Sequence, residues 1–448
     1  MRLTRLVNWV HRNTSVLLLT PWTPSFGDCA YHIRYGVMKA RRERTRVLLI
    51  AHRHELSGWL RMPIANRELF LLESESLYPA NSVPGWIAGW LLTAHLAFIR
   101  LWNPLWRFQH RLRRLVRPSV LGPDPRQGPS DAGPQMSPLI GVLQLWQPAG
   151  MEAFSWEAVT DLDWSGQDRG YRAPKLSEAK RRSAEQLRVE MGIPLSDWFV
   201  ALHVREGKDF RHRNASITNY VEAIRVITRA GGWVVRLGDA SMRRLPDMER
   251  VIDYGHSQWK SELMDLYLIS ACRFYFGTTS GPLDVAQLLG RPAVTVNAAE
   301  FAIWGPVRPN DLGILKHVYS ARHRRVLSLK EWLEEPFASQ CTGYHFDDRE
   351  YRLIDNSANE IREVVEEFMR PERSSLSDVQ RAFNAVRSRA IRRWLDEGEP
   401  RDSAEHEDLL TEQCHLASMA DAAGALGHRY LEQNWDAVPG WLKEADHL

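Results

Sequence analysis

Short apolar runs alternate with amphipathic stretches along most of the chain. Near the start, an apolar run at 14–22 precedes a turn at 23–30, a stretch with helical spacing at 31–44 and a second apolar run at 45–53. From residue 176 onward the alternation is regular, with apolar runs at 198–204, 232–239, 250–255, 272–280 and 292–297. Strands that alternate with helices indicate βαβ units and parallel sheets. The pattern therefore predicts an α/β protein with two Rossmann-like domains.

The length of 448 residues is enough for two or three domains. We expect an N-terminal Rossmann-like domain at 1–170, a second Rossmann-like domain at 171–370 and a helical tail at 371–448. The stretch 117–138 is rich in Pro, Gly and Ser, so it predicts a loop or linker inside the first domain. Apolar residues at helical spacing within 376–395 predict an amphipathic helix in the tail.

One segment of the first domain, 83–99, has no formal charge, and the segment 100–117 that follows it has six Arg and no acidic residue. A helix lying at an anionic membrane surface fits this order of apolar and basic residues. Two other interpretations remain open: a buried helix followed by an amphipathic helix, or a true span. A span usually needs about 20 apolar residues. We expect peripheral membrane contact through 83–117.

Charge and cysteine content narrow the class of protein. The 58 Lys and Arg nearly balance the 55 Asp and Glu, which argues against a nucleic-acid-binding protein. The four Cys are far apart and show no metal-ligand spacing, so we expect reduced thiols and no metal site. Polar residues at 11–13 interrupt the N-terminal apolar run, so no signal-peptide core is expected. These features predict a cytoplasmic protein, peripheral on the inner face of the membrane.

Polar side chains follow four predicted strands of the second domain. These residues are His203, Arg205 and Glu206, then Arg236, Gly238 and Asp239, then Gly255, His256, Ser257 and Lys260, and lastly Thr278, Thr279, Ser280 and Gly281. In an open parallel sheet, ligands bind at the carboxyl ends of the strands, near a switch in strand order. Taken alone, His203, His256 and Asp239 are each as compatible with a purely structural role as with a role in ligand binding.

The clearest single feature is "FGTTSGPLDVAQLLGRP" at 276–292, where a strand turns into a helix through small hydroxyl residues and Gly. A helix N-terminus with free N–H groups binds phosphate. The alternative is a simple capping turn, because Ser and Thr also cap helices. A nearby guanidinium such as that of Arg205 favours binding of a diphosphate. The chain has no Walker motif, no dinucleotide fingerprint and no nucleophile-elbow motif.

Three stretches carry a resemblance to a known family. "FVALHVREGKDFRHRNASITNYVEAI", "GGWVVRLGDASMRRLPDMERVIDYGHSQWKSELMDLYLISACRFYFGTTSG" and "DNSANEIREVV" occur in order within residues 139–370. They resemble a family of bacterial glycosyltransferases found with surface-polysaccharide biosynthesis. More remotely, "HVREGKD" is similar to the His-x-Arg-x-x-Asp motif of the fucosyltransferase superfamily. The resemblance implies a GT-B-like fold, in which two Rossmann-like domains face each other across a cleft.

The resemblance also implies roles for individual residues. Arg205 would hold the diphosphate of the donor with His203 beside it, and Thr278 to Gly281 would seat the phosphates. Asp239 and Lys260 would lie on the donor side of the cleft. Their strand-end positions add Glu206 and Arg236 to the donor-binding set. In the first domain, "SFGDCA" falls where relatives carry a Gly-rich turn, and Asp28 stands where we expect a different polar residue.

The predicted function is transfer of a sugar from a nucleotide-sugar donor to a glycan or lipid-linked acceptor, with no metal and no cofactor besides the donor. Positive groups would stabilise the leaving diphosphate, and Asp28 or His32 would deprotonate the acceptor hydroxyl. Two alternatives remain: a nucleotide-sugar epimerase on the same fold, or a non-catalytic scaffold in a polysaccharide complex. An epimerase would act on a sugar nucleotide alone, and a scaffold would not turn over any donor.

Overall fold

The computed structural model describes residues 16–21, 23–116, 144–147, 150–152, 171–300, 308–335, 350–371, 375–396, 420 and 422–436. The chain forms two compact units, Met1–Phe154 and Ser155–Leu448. The loop predicted at 117–138 and the domain boundary predicted at 170 lie outside the described residues.

Unit 1 contains a five-stranded mixed sheet of order β3-β2-β1-β4-β5, in which β1, β2 and β3 are parallel and β4 and β5 antiparallel. Its elements are β1 (Val16–Thr20), α1 (Phe26–Arg42), β2 (Arg46–Leu49), α2 (Ser57–Leu60), β3 (Leu77–Tyr78), α3 (Val83–Val116), β4 (Gln144–Gln147) and β5 (Gly150–Glu152). The βαβ unit predicted at the start of the chain is confirmed. Its strands pair in parallel from Val16 opposite Arg46 onward.

The turn predicted at 23–30 is wrong in its second half, because α1 already begins at Phe26. Ser25 is the N-cap residue of this helix, and its Oγ accepts a hydrogen bond from the backbone N–H of Asp28 at 3.3 Å. An N-cap Ser followed by an acidic residue in the first turn favours a helix start. Gly27 is therefore a buried helical residue and not the pivot of a turn.

Unit 2 contains a seven-stranded parallel sheet of order β15-β11-β10-β9-β6-β7-β8. Its elements begin with α4 (Glu178–Glu190), β6 (Phe199–His203), α5 (Val221–Arg229), β7 (Trp233–Arg236), β8 (Val251–Ile252), α6 (Glu262–Ala271), β9 (Tyr275–Gly277), α7 (Gly281–Leu288) and β10 (Ala293–Ala298). All five residues of β6 are buried, as expected for a central strand covered on both faces. The parallel α/β arrangement predicted from the sequence is confirmed for this unit.

The rest of unit 2 adds a small antiparallel sheet of order β13-β12-β14 and several helices. These elements are β11 (Leu312–Leu315), β12 (His317–Ser320), β13 (Arg325–Val326), α8 (Leu329–Trp332), β14 (Tyr351–Ile354), α9 (Ala358–Met369), α10 (Asp378–Asp396), β15 (Ala425–Leu426) and α11 (His428–Asn434). The predicted amphipathic helix of the tail is α10, which buries Phe383 and Ile391. The tail also contributes β15, which pairs with β11 at the edge of the large sheet.

The uncharged segment 83–99 and most of the basic segment after it form one continuous helix, α3. Among the described residues, no helix combines the length and the apolar character of a membrane span.

Candidate functional site

The strand order of the large sheet changes direction at β6. From β6 the chain moves outward to β7 and β8, and it then returns to form β9 on the opposite side of β6. Loops that leave two neighbouring strands in opposite directions open a crevice at the carboxyl edge of the sheet. The candidate site is therefore the edge where β6 and β9 end.

The two strands are joined tightly at this edge. His203 lies opposite Gly277, and the backbone N–H of Thr278 donates to the His203 carbonyl at 2.9 Å. A Cβ atom at Gly277, whose φ is +150°, would lie 1.9 Å from the His203 carbonyl oxygen, so only Gly fits. The Thr278 hydroxyl accepts a hydrogen bond from the backbone N–H of Arg205 at 3.0 Å. The structure thus brings the predicted residues His203, Arg205 and Thr278 together.

The start of α7 is not capped by a side chain. Ser280 occupies the N-cap position, but its hydroxyl makes no capping hydrogen bond and instead pairs with His203 Nδ1 at 2.8 Å. The neighbouring Thr279 side chain is fully buried, and within the described residues its Oγ1 has no hydrogen-bond partner. A helix N-terminus without a side-chain cap and a hydroxyl without a partner provide donors for an anionic oxygen.

The His203 ring is neutral at pH 7. Burial lowers the pKa of this imidazole to about 3, with further lowering by the charges of Arg205 and Arg236. A neutral ring suits the contact with the Ser280 hydroxyl, since each group can donate or accept. His203 therefore fixes the turn before α7 and contributes no charge of its own.

Arg205 holds its own loop. Its guanidinium donates to the carbonyl of Asp209 at 2.8 Å and lies against Gly207, where a Cβ would approach Nη2 to 2.8 Å. Its Nε is buried and has no hydrogen-bond partner within the described residues. Burial lowers the pKa of Arg205, and the nearby charge of Arg213 lowers it further. The residue remains a cation at neutral pH, beside the end of β6.

Glu206 and Arg236, both predicted to bind the donor, form part of a brace between neighbouring loops. Glu206 Oε2 accepts from the backbone N–H of Arg243 at 2.7 Å, and its Oε1 lies 3.6 Å from Arg236 Nη2. The Arg236 side chain is 1% exposed and also contacts Asp253 at 3.5 Å. These contacts place both charges in structural ion pairs.

Asp239 and Lys260 lie close enough to His203 to influence its pKa. The pKa of Asp239 is lowered, first by hydrogen bonds from the Ser241 side chain and backbone and then by the charge of Lys260. The Lys260 ammonium is paired with both oxygens of Asp265, at 2.7 and 2.9 Å. The predicted donor-side cation is therefore already engaged by a carboxylate.

A buried carboxylate that was not predicted from the sequence lies just beyond β10. Glu300 Oε1 lies 2.6 Å from His212 Nε2 and 2.6 Å from Arg213 Nε, and the Glu300 side chain is 1% exposed. Burial raises the pKa of this carboxyl, but the hydrogen bond to His212 and the charge of Arg213 outweigh burial and lower it. The strand-end rule, if extended to β10, would have found Glu300.

The two predicted candidates for the catalytic base lie in unit 1, at the start of α1. Asp28 is exposed in the first turn, and His32 follows one turn later and is buried. Burial lowers the pKa of His32 to about 4, and the charge of Asp28 partly offsets this effect. His32 is thus a neutral imidazole at pH 7. Within the described residues, no group of three or more His, Cys, Asp or Glu side chains is placed to hold a metal ion.

No protein-family model and no curated protein matches the chain. It is similar to the solved structure of the E. coli ADP-heptose lps heptosyltransferase II, with 16% identity and a TM-score of 0.29 over 66% of this chain and 86% of that one. It is similar to E. coli heptosyltransferase WaaC with ADP, with 13% identity and a TM-score of 0.25 over 67% and 90% of the two chains. A glycosyl transferase family 9 structure from Veillonella parvula DSM 2008 is 16% identical with a TM-score of 0.22, and the match covers 28% of this chain and 36% of that one.

Proposed function

We propose that the chain is a glycosyltransferase that transfers a sugar from a nucleotide-sugar donor to a glycan or lipid-linked acceptor. The observation that carries the proposal is the buried Thr279 hydroxyl, which lacks a partner within the described residues, beside the uncapped start of α7. Both lie where the strand order of the parallel sheet reverses, which is where open α/β sheets bind nucleotides. The α/β sheets of the two units support a GT-B-like architecture.

The proposed chemistry needs charge on one side of the reacting carbon and a base on the other. The acceptor oxygen attacks the anomeric carbon, the bond to the diphosphate breaks, and the acceptor proton passes to a base. Asp28 and His32 are the predicted candidates for this base; the burial that lowers the pKa of His32 to about 4 also weakens this imidazole as a base, whereas Asp28 is exposed. The leaving diphosphate is stabilised by the Gly281 N–H at the start of α7, by the Thr279 hydroxyl and by Arg205.

Metal independence is part of the proposal. The protein supplies cationic groups itself, from Arg205 and from Lys260 once a diphosphate competes with Asp265 for its ammonium. These fixed donors would take the place of a divalent cation in neutralising the leaving group.

Calorimetry with ADP, UDP, GDP, dTDP and CMP tests the proposal. We expect one nucleoside diphosphate to bind, and we expect Thr279→Val to weaken it. If none of them binds, the proposed function is wrong. Turnover of the matching nucleotide sugar is then followed with and without acceptors. Conversion of the sugar nucleotide alone into an isomer would identify an epimerase, and binding without any turnover would identify a scaffold.

A further inference from the structure

Within the described residues, helix α3 of unit 1 packs on the sheet with one of its faces. Ala88 and Leu92 pack against the cluster of Leu18, Leu48 and Ile50. Two glycines on this side allow the helix to approach the neighbouring backbone closely. A Cβ at Gly89 would lie 2.7 Å from the carbonyl oxygen of Ala51, and a Cβ at Gly85 would meet two carbonyl oxygens at 2.8 Å. This face is therefore anchored firmly.

The opposite face of α3 is apolar and exposed. Its large side chains are Val83 (74% exposed), Trp86 (52%), Ile87 (50%), Trp90 (45%), Leu91 (42%), Phe98 (58%) and Leu101 (59%). Their spacing of three and four residues places them on one stripe of the helix. At 1.5 Å per residue, the stripe is roughly 27 Å long. A continuous exposed patch of this kind marks an interaction surface, unlike apolar residues scattered singly. We call it the apolar stripe of α3.

Aromatic and basic groups lie together along the apolar stripe. The Trp86 and Trp90 rings pack edge to face with centroids 6.3 Å apart. The Arg53 guanidinium lies 5.4 Å from the centroid of Trp90, and that of Arg100 lies 5.0 Å from the centroid of the exposed Trp59 in α2. Trp rings flanked by guanidinium groups are typical of the region where lipid headgroups meet acyl chains.

The sequence of the second half of the same helix is basic. Between Glu75 and Asp124 the chain has no acidic residue, and α3 itself carries arginines at positions 100, 107, 111, 113 and 114. If two copies of the chain paired through α3, neither helix would provide a carboxylate for the arginines of the other, whether the helices ran parallel or antiparallel. An anionic bilayer offers them phosphate groups along the whole helix. Charge therefore favours a lipid surface over a self-associating interface.

We propose that α3 lies in the plane of an anionic membrane, with the apolar stripe in the headgroup–acyl boundary, and that the net positive charge of the helix favours anionic lipid. The anchored face keeps the helix fixed to unit 1, so the whole protein is held at the surface. The inference is independent of the proposed transfer reaction, because none of its residues belongs to the candidate nucleotide site of unit 2.

Co-sedimentation of the full chain with vesicles tests this proposal. The vesicles are phosphatidylcholine alone or phosphatidylcholine with phosphatidylglycerol, at low and high salt. One variant combines Ile87→Ser, Leu91→Ser and Leu101→Ser. Its matched control combines Val189→Ser and Leu195→Ser, two residues of unit 2 that are 51% and 56% exposed. A second variant combines Arg107→Gln, Arg111→Gln and Arg114→Gln.

We expect the stripe variant to bind anionic vesicles about tenfold or more weakly, since burying one aliphatic side chain already corresponds to about a tenfold change. The matched control should bind like the wild type. The arginine variant should lose the preference for anionic vesicles, and high salt should have the same effect on the wild type. Circular dichroism and the melting temperature of each variant show that it is folded.

Unchanged vesicle binding by a folded stripe variant would overturn the proposal. Equal binding of the wild type to both kinds of vesicle would also overturn it, because the arginines would then have no role. If light scattering instead shows that the stripe variant turns a dimer into a monomer without an effect on vesicles, the stripe is an interface between copies. Nucleotide binding is measured on the same samples. A loss of vesicle binding with normal nucleotide binding, or the reverse, shows which of the two proposals has failed.

Discussion

Two adjacent threonines provide a matched test of the candidate nucleotide site. Thr278 and Thr279 are both fully buried, but their hydroxyls differ. The Thr278 hydroxyl accepts from the Arg205 N–H at 3.0 Å, whereas the Thr279 hydroxyl has no partner within the described residues. Replacing either residue by Val keeps nearly the same shape and removes only the hydroxyl. The two variants should therefore change stability in opposite directions.

The expected magnitudes follow from these contacts. A buried hydroxyl without a partner costs about 1–3 kcal/mol, so Thr279→Val should raise the free energy of unfolding by about 1 kcal/mol. Thr278→Val leaves the Arg205 N–H without its acceptor and should lower the free energy of unfolding by about 1–2 kcal/mol. In the complex, a hydrogen bond from Thr279 to a charged phosphate is worth about 1.5–3 kcal/mol, so Thr279→Val should weaken nucleotide binding roughly 10- to 100-fold.

Urea unfolding followed by circular dichroism gives the stability of each variant, and calorimetry gives the nucleotide affinity. The combination expected for Thr279→Val, a more stable protein that binds nucleotide less well, is characteristic of a group held in place for a ligand. If Thr279→Val destabilises the protein, the hydroxyl has a structural partner and our assignment of this group is wrong. If it leaves the affinity unchanged, the phosphates bind elsewhere.

Four further outcomes are expected. Arg205→Ala should weaken binding of the nucleoside diphosphate by about 2–3 kcal/mol, measured by calorimetry, with little change in the melting temperature. Lys260→Ala should lower turnover about 100-fold or more, and EDTA should leave wild-type turnover unchanged. If EDTA abolishes turnover and Mg²⁺ or Mn²⁺ restores it, a metal ion and not the protein neutralises the leaving diphosphate. Gly277→Ala should yield little folded protein on expression, because its Cβ would lie 1.9 Å from the His203 carbonyl oxygen. Burial lowers the pKa of His203 to about 3, whereas the same imidazole in the unfolded chain has a pKa near 6.5. The unfolded chain therefore binds a proton more readily below about pH 6.5, and the free energy of unfolding should fall as the pH is lowered towards 3, by about 2 kcal/mol at pH 5. His203→Gln should remove this part of the pH dependence of urea unfolding.

The order of strands and helices was predictable because hydrophobic periodicity is a local signal. Each apolar run predicted between 198 and 297 coincides with a strand of the large sheet to within a few residues. The one clear error at the start of unit 1 was local as well. The turn expected around Gly27 is the first turn of α1, because the N-cap Ser25 decides the local structure and a helix tolerates Gly.

Partners of individual side chains could not be predicted in the same way. The strand-end rule placed Glu206 and Arg236 at the edge of the sheet, but nothing in the sequence shows that they pair with each other. Glu300 was not predicted as a site residue because its partners His212 and Arg213 are 88 and 87 positions away along the chain. Contacts of this kind depend on which strands become neighbours, and the periodicity of a segment carries no information about its neighbours.

The link between His203 and Ser280 explains how this fold leaves a helix start available to a ligand. An N-cap Ser ordinarily accepts a hydrogen bond from the first turn, which stabilises a helix by about 1 kcal/mol. Here the Ser280 hydroxyl is turned towards His203 Nδ1 instead, at 2.8 Å, and α7 begins without a side-chain cap. Burial keeps His203 neutral, so it draws the hydroxyl away without placing a positive charge under the site. In the first turn of α7, Pro282 has no N–H and the Leu283 N–H already donates to the Ser280 carbonyl at 2.8 Å. Within the described residues, the Gly281 N–H and the Thr279 hydroxyl then remain for an anionic group to satisfy, and a diphosphate has the oxygens to do so.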